Sequence, residues 1–300
     1  MTHVATFIAD PKSAGLSGEQ LARAGKLLPD AEAPEWLDRD FAADIPFAAA
    51  VGTDPRRLAD QLRDALHGEC DVAVQPVAHR RKMLLVADMD STMIGQECID
   101  ELADILGLKA HVSAITERAM RGEIAFEPAL RERVALLKGL SVTVIDEVIA
   151  SRIVLTPGAR FLVNTMRRHG AFTCLVSGGF SLFTQIIGEM IGFDETHANM
   201  VLVEGGKLTG FVEEPILGRE AKLDTLLELS RHLNLPLEKT LAIGDGANDL
   251  AMIERAGLGV AYHAKPAVAA AAHARIDRGD LTALLYLQGY RREEFSEDSP

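Results

Sequence analysis

The 300-residue chain is predicted to be α/β, with a doubly wound, mostly parallel sheet, a helical cap insertion and a small α+β domain in front. Three observations predict this. Apolar runs of strand length at residues 83–87, 172–176 and 241–243 each end abruptly in polar or glycine residues, as strands buried on both faces of a parallel sheet do. Residues 99–153, between the first two runs, carry helical periodicity without a strand signal. That is far more chain than the roughly dozen residues a parallel crossover needs, so a cap over the sheet edge is expected at about residues 94–155. Residues 1–80 read as β-α-β-β-α-β, the ferredoxin-like order.

The elements follow in order. Residues 4–9 form a short apolar run, and residues 18–28 carry Leu21, Ala24, Leu27 and Leu28 at helical spacing. Residues 41–50 are again apolar. Asp54 and Pro55 then start a helix whose face holds Leu58, Leu62, Ala65 and Leu66, and residues 71–77 close the unit with strand-like alternation. The basic linker His79-Arg80-Arg81-Lys82 is taken as the boundary, giving domains at 1–80 and 81–290. Residues 200–203 and 207–212, separated by Glu204-Gly205-Gly206, read as a β-hairpin. Trp36 is expected in a surface loop, and residues 291–300, rich in glutamate and serine, as a flexible tail.

Composition narrows the function. Thirty-one lysines and arginines against 44 aspartates and glutamates leave a net charge of −13, which disfavours nucleic acid and anionic membranes as partners. Apolar residues make up 48% and mean hydropathy is +0.09, as in folded globular chains. The most apolar late stretch, residues 257–274, is broken by Lys265 and Pro266 and is no membrane span. Cys70, Cys98 and Cys174 lack disulfide or zinc spacing and read as buried thiols; with no secretory leader, a cytoplasmic protein is expected. An acidic protein that handles an anionic substrate needs clustered donors or a divalent cation.

The chemistry lies where the buried runs end. Asp88-Met89-Asp90-Ser91-Thr92 places two carboxylates two residues apart, and Gly244-Asp245-Gly246-Ala247-Asn248-Asp249 supplies two more with an amide. Alone, the first segment reads as a strand-end turn with an Asx cap. Four carboxylates at one sheet edge repel each other, so a hard cation is the natural compensation, and all-oxygen ligation argues for Mg²⁺. Ser177-Gly178-Gly179 is either a plain strand-to-helix turn or an anion cradle of hydroxyl and backbone N–H groups. Lys222 is either a solvated helix residue or a phosphate clamp.

Taken together and in this order, these four segments resemble the motifs of the haloacid dehalogenase superfamily of aspartate-nucleophile phosphatases. Residues 82–287 resemble, more narrowly, its phosphoserine phosphatase family, through Glu97, Phe126-Glu127, Leu130-Arg131-Glu132-Arg133-Val134, Val176-Ser177-Gly178-Gly179-Phe180 and Ala264-Lys265-Pro266. The first domain is similar in layout to ACT-like domains. The resemblance implies hydrolysis of O-phospho-L-serine, the last step of serine biosynthesis. Asp88 would be the nucleophile that becomes an aspartyl phosphate, and Asp90 the acid and then the base. Mg²⁺ would be held by Asp88, the Asp90 carbonyl, Asp245 and Asp249. Ser177, Gly178 and Lys222 would bind the phosphoryl oxygens, with Asn248 orienting the site. Glu97 would take the substrate ammonium and Arg133 its carboxylate, beside an apolar wall of Met120 and Phe126. Without the resemblance, Glu97 and Arg133 read as an exposed helix face and Met120 and Phe126 as core. A related phosphatase or phosphotransferase for another small phosphomonoester, such as phosphohomoserine, and a noncatalytic regulatory module are the alternatives. The domain pattern allows a homodimer.

Overall fold

The structure, a computed structural model, describes residues 1–120, 123–218 and 220–298; the Met120 side chain also lies outside the described set. The N-terminal domain runs β1 (His3–Ala9), α1 (Gly18–Gly25), β2 (Glu35–Asp38), β3 (Ala42–Phe47), α2 (Pro55–Ala65) and β4 (Cys70–Pro76). Its sheet has the order β2-β3-β1-β4 with every neighbouring pair antiparallel, the arrangement a β-α-β-β-α-β chain makes. Both helices start where the sequence signals them. Ser17 and Gln20 form a capping box on α1, and Asp54 caps α2 with Pro55 in its first turn. Trp36 lies within β2, half-buried, rather than in a loop.

The second domain opens with β5 (Leu84–Asp88) and continues with four cap helices, α3 (Cys98–Ile105), α4 (Lys109–Met120), α5 (Phe126–Leu136) and α6 (Thr143–Arg152). An isolated antiparallel bridge between Ile94 and Leu155 ties the two chain segments that enter and leave this cap. Then come α7 (Ala159–Arg168), β6 (Phe172–Phe180), α8 (Ser181–Ile191), β7 (Glu195–Asn199), the hairpin β8 (Val201–Glu204) and β9 (Lys207–Val212), and α9 (Ala221–His232). The chain ends with β10 (Thr240–Gly244), α10 (Leu250–Arg255), β11 (Leu258–Tyr262), α11 (Pro266–Ala271), β12 (Ala274–Ile276) and α12 (Ala283–Leu287).

The main sheet has the order β12-β11-β10-β5-β6-β7, all parallel. From β5 the chain winds first towards β7, then returns to β10 and winds towards β12. The switch point therefore lies between β5 and β10, where open α/β sheets bind ligands beyond the carboxyl ends of their strands. Strand alternation explains the wholly apolar run of β5: Leu85 and Ala87 enter one core, Leu84 and Val86 the core on the opposite face.

The domain boundary is not an open linker. Arg80 is largely buried, donating from Nε to the Leu287 carbonyl (2.8 Å) and from Nη2 to that of Tyr286 (3.0 Å), while its Nη1 pairs with Asp44 at 2.6 Å. Gln75 reaches the same Leu287 carbonyl at 2.6 Å, and the Tyr286 hydroxyl donates to Asp38 at 2.7 Å. Residues 295–297, in the expected tail, make contacts with the second domain. The Phe295 ring sits 4.9 Å from Tyr286, Ser296 N–H donates to Thr165 Oγ1 at 2.9 Å, and Glu297 accepts from Asn164 at 2.8 Å. One aromatic side chain with a hydrophobic place to go outweighs a polar composition.

Candidate active site

Asp88 is the last residue of β5, and beyond it the chain turns through residues 89–93. Asp90 keeps an extended backbone, and Ser91 takes φ 56°, reversing the chain so that the two carboxylates part. Asp88 Oδ1 accepts the Met89 N–H at 2.8 Å and pairs with the Lys222 ammonium. Asp90 faces the cap instead, accepting from Cys98 N–H at 2.8 Å and from Ser177 Oγ at 3.1 Å. Ser177 Oγ in turn accepts the Gly179 N–H at 2.9 Å. Burial pushes Asp90 above the usual carboxylate range, against the pull of these hydrogen bonds.

The end of β10 brings the remaining acids. A Cβ on Gly244 would stand 2.3 Å from Asp249 Cγ, so glycine is what lets Asp249 fold back under the strand. Asp249 accepts the Gly246 N–H at 2.9 Å and the Lys222 ammonium at 2.6 Å, so one lysine on the first turn of α9 bridges Asp88 and Asp249. Burial opposes the charge on Lys222, but the two carboxylates outweigh it and hold the ammonium above its usual range. Burial and then Asp249 raise both Asp88 and Asp245, with Lys222 pulling the other way on each.

One oxygen each from Asp88, Asp245 and Asp249 lie within 4.8 Å of one another. Three hard oxygen donors at that spacing fit a hard divalent cation. The Asp90 carboxylate stays outside this group. A tetrahedral sulfur or histidine site does not match these donors.

Above the acids lies a cavity of about 180 Å³ between sheet edge and cap. Asp88, Asp90, Asp245, Gly178 and Asn248 line it from below, and Glu97, Phe126 and Arg133 from the cap. Ser177 and Lys222 sit behind this wall, beside a smaller void also bounded by Gly178 and Asn248. Phe126 lies directly over Gly178, where a Cβ would meet its ring at 3.4 Å. Glu97 immediately precedes α3 and accepts from Ser91 Oγ at 2.7 Å; burial, with Asp90 next, raises it to about 7. Arg133 on α5 is largely buried in the same cavity wall and donates from Nε to the Ala129 carbonyl at 3.3 Å. Burial lowers its affinity for its proton, while Asp100 and Glu97 act to raise it. Asp88, Asp90, Asp245, Gly178, Asn248, Glu97, Phe126 and Arg133 thus line one cavity, while Asp249, Ser177 and Lys222 lie behind it and Met120 falls outside the described side chains.

Sequence reasoning assigned no role to several lining residues. Cys98 presents a backbone N–H to Asp90, which no residue type can signal. Ile99, Leu130 and Phe180 supply the apolar wall. Lys265 also lines the cavity, and its signal was available: like the other site residues it follows a buried strand, β11.

A parallel switch-point sheet carrying an Asp-x-Asp turn, a bridging lysine and a glycine-rich acidic turn defines a hydrolase of the haloacid dehalogenase type. The chain belongs to the haloacid dehalogenase-like hydrolase family, which it matches over residues 85–254. Within it, the chain belongs to the phosphoserine phosphatases. It is 49% identical over 209 residues to the phosphoserine phosphatase of Polaromonas sp., covering 68% of this chain and 89% of that one. Identity to the Streptomyces coelicolor enzyme of the same name is 43% over 252 residues, 83% of this chain and 61% of the relative, so the chain spans less than two thirds of that protein. A haloacid dehalogenase family hydrolase from Salmonella enterica serovar Typhi superposes with a TM-score of 0.84 at 30% identity, over 95% of this chain and 98% of its own. A substrate-bound phosphoserine phosphatase complex superposes with 0.63 at 39% identity, over 69% and 98%.

Proposed function

We propose that the chain hydrolyses O-phospho-L-serine to L-serine and phosphate through an aspartyl phosphate on Asp88. The observation that carries this reading is one cavity with Asp88 and Asp90 at its floor and Glu97 and Arg133 in its cap wall. The acids match a phosphoryl-transfer site, and the anion and forked cation match the ammonium and carboxylate of an α-amino acid.

In the first step an Asp88 oxygen attacks phosphorus while the bond from phosphorus to the serine oxygen breaks, and Asp90 gives its proton to the departing alkoxide. Burial favours the protonated form that this step requires. In the second step water attacks the phosphoryl group, Asp90 takes the water proton and Asp88 leaves as carboxylate. Ser177, the Gly178 N–H and Lys222 bind the phosphoryl oxygens, and Asn248 helps to orient them. Mg²⁺ held by Asp88, Asp245, Asp249 and the Asp90 carbonyl would neutralise charge on the phosphoryl group. Phe126 and the apolar wall exclude competing water.

The three buried free thiols fit a reducing compartment, so we place the enzyme in the cytoplasm, acting in serine biosynthesis. Among the described residues no helix is long and apolar enough to cross a membrane. The test is phosphate release from phosphoserine, phosphohomoserine and an aryl phosphate, with Mg²⁺ and with excess chelator. Preference for phosphoserine, lost with chelator, is expected, and Asp88→Asn should lower turnover by roughly 10³-fold or more. Equal rates on all three substrates would remove Glu97 and Arg133 as selectors.

A further inference from the structure

Several polar contacts cross the junction between the domains, among them the networks of Arg80 and Asp71, and the second of these continues to the active site. The Arg80 network ends on the carbonyls of α12. The other begins at Asp71 on β4, whose buried carboxylate accepts the N–H groups of Asp277 (2.9 Å), Arg278 (3.2 Å) and Gly279 (2.8 Å). Three charge-assisted bonds from one side chain fix the turn that follows β12. A Cβ on Gly279 would stand 3.3 Å from Asp71 Oδ2, a tight contact, so the turn and the carboxylate pack closely.

That turn holds His263. The His263 ring donates from Nε2 to the Gly279 carbonyl (3.0 Å), and the His263 backbone N–H donates to the Ile276 carbonyl (2.9 Å). Its backbone has φ 43°, in the left-handed region. Two residues further on, Lys265 N–H donates to the Asp245 carbonyl at 3.2 Å, and Lys265 lines the catalytic cavity. A path of hydrogen bonds, joined between His263 and Lys265 by two residues of covalent backbone, therefore leads from the N-terminal sheet to the backbone of Asp245.

We infer that Asp71 is a positioning residue for the catalytic site: through the 277–279 turn and His263, the N-terminal domain sets the backbone of Lys265 and Asp245. The small domain is on this account a buttress of the site, since its carboxylate completes a loop that the catalytic domain leaves unfinished. The inference rests on the phosphatase reading only for its turnover assay; the exchange assay needs no substrate, so failure of one reading is distinguishable from failure of the other.

The experiment compares Asp71→Asn with Asp44→Asn in the full-length chain. Asp44 belongs to the Arg80 network and serves as a control for plain loss of docking. Measured are hydrogen exchange at the Lys265 amide, the Mg²⁺ concentration for half-maximal activity, KM for phosphoserine at saturating Mg²⁺, and Tm. Asp71→Asn is expected to speed Lys265 exchange and raise the Mg²⁺ requirement, each by about tenfold, with KM within about twofold. Asp44→Asn is expected to lower Tm as much and to leave the other three unchanged. His263→Asn, which keeps a side chain tolerant of left-handed backbone but removes the reach to Gly279, should reproduce the Asp71→Asn effects with a smaller loss of Tm. If both aspartate variants change only Tm, or change exchange and Mg²⁺ requirement alike, Asp71 is interdomain glue and the inference falls. An effect of Asp71→Asn without one of His263→Asn would overturn the route as well.

Discussion

Glu97 shows how far one side chain of the cavity wall can set behaviour. Burial raises it to about 7 from an ordinary value of 4.5, so between those values the unfolded chain has released a proton that the folded chain retains. Stability contributed at this position accordingly falls as pH rises through the window, and the full cost is present above about pH 7. Glu97→Gln is expected to be more stable than the parent near pH 8 and no more stable near pH 4, measured as the difference in Tm. Recognition runs the other way, because only the ionised form attracts an ammonium. KM for phosphoserine should therefore rise as pH falls from about 8 to about 6, and Glu97→Gln should show a higher, flatter KM. A parent KM that does not change over this range would remove Glu97 from recognition.

At the scale of elements, the site depends on how closely the turn after β10 can fold under its strand. Gly244→Ala forces a methyl group against the Asp249 carboxyl, at 2.3 Å before any shift, so Asp249 and with it Lys222 must move. Turnover is expected to drop by roughly 10²-fold with α/β circular dichroism retained, and normal turnover would show that the turn relaxes freely. The glycine, like the Asp-x-Asp and Ser-Gly-Gly segments, was legible because buried parallel strands are apolar to their last residue and every polar residue after them stands out. The cap helices were legible as helices from periodicity, yet the convergence of Glu97 and Arg133 on one cavity is a tertiary fact that only a family resemblance could anticipate. Three features carried no usable signal. Cys98 acts through its backbone N–H; Arg80 looks like solvated linker charge yet is buried by carbonyls over two hundred residues away in sequence; and Phe295 docks a segment whose composition reads as mobile.

For the molecule as a whole, the two domains share both hydrophobic and polar contacts. Ile8, Leu37, Ala42 and Ala73 of the N-terminal sheet belong to the same buried cluster as Leu284 and Tyr286 of α12. With Arg80 and Asp71 bonded across the same junction, separate unfolding would break these bonds and expose the shared apolar cluster to water. One cooperative calorimetric transition is expected, and two resolved transitions would show that the domains are thermodynamically independent. That expectation also explains why the division at residue 80, clear in sequence, describes chain order better than mechanics.

The bridging lysine has a consequence for the order in which ligands arrive. Among the directly bonded groups, ionised Asp88, Asp245 and Asp249 are offset by the Lys222 ammonium on Asp88 and Asp249, with Lys265 acting on Asp245 without a bond to it, which leaves two negative charges in that bonded set at the place where a phosphate dianion must sit. A divalent cation brings that balance to zero, so loading by the cation and by phosphate are thermodynamically linked, each raising the affinity for the other by the same factor. Inorganic phosphate alone should leave Tm almost unchanged, Mg²⁺ alone should raise it, and the two together should raise it by more than the sum of their separate shifts. Additive shifts would mean that the two ligands do not share a charge balance at this site.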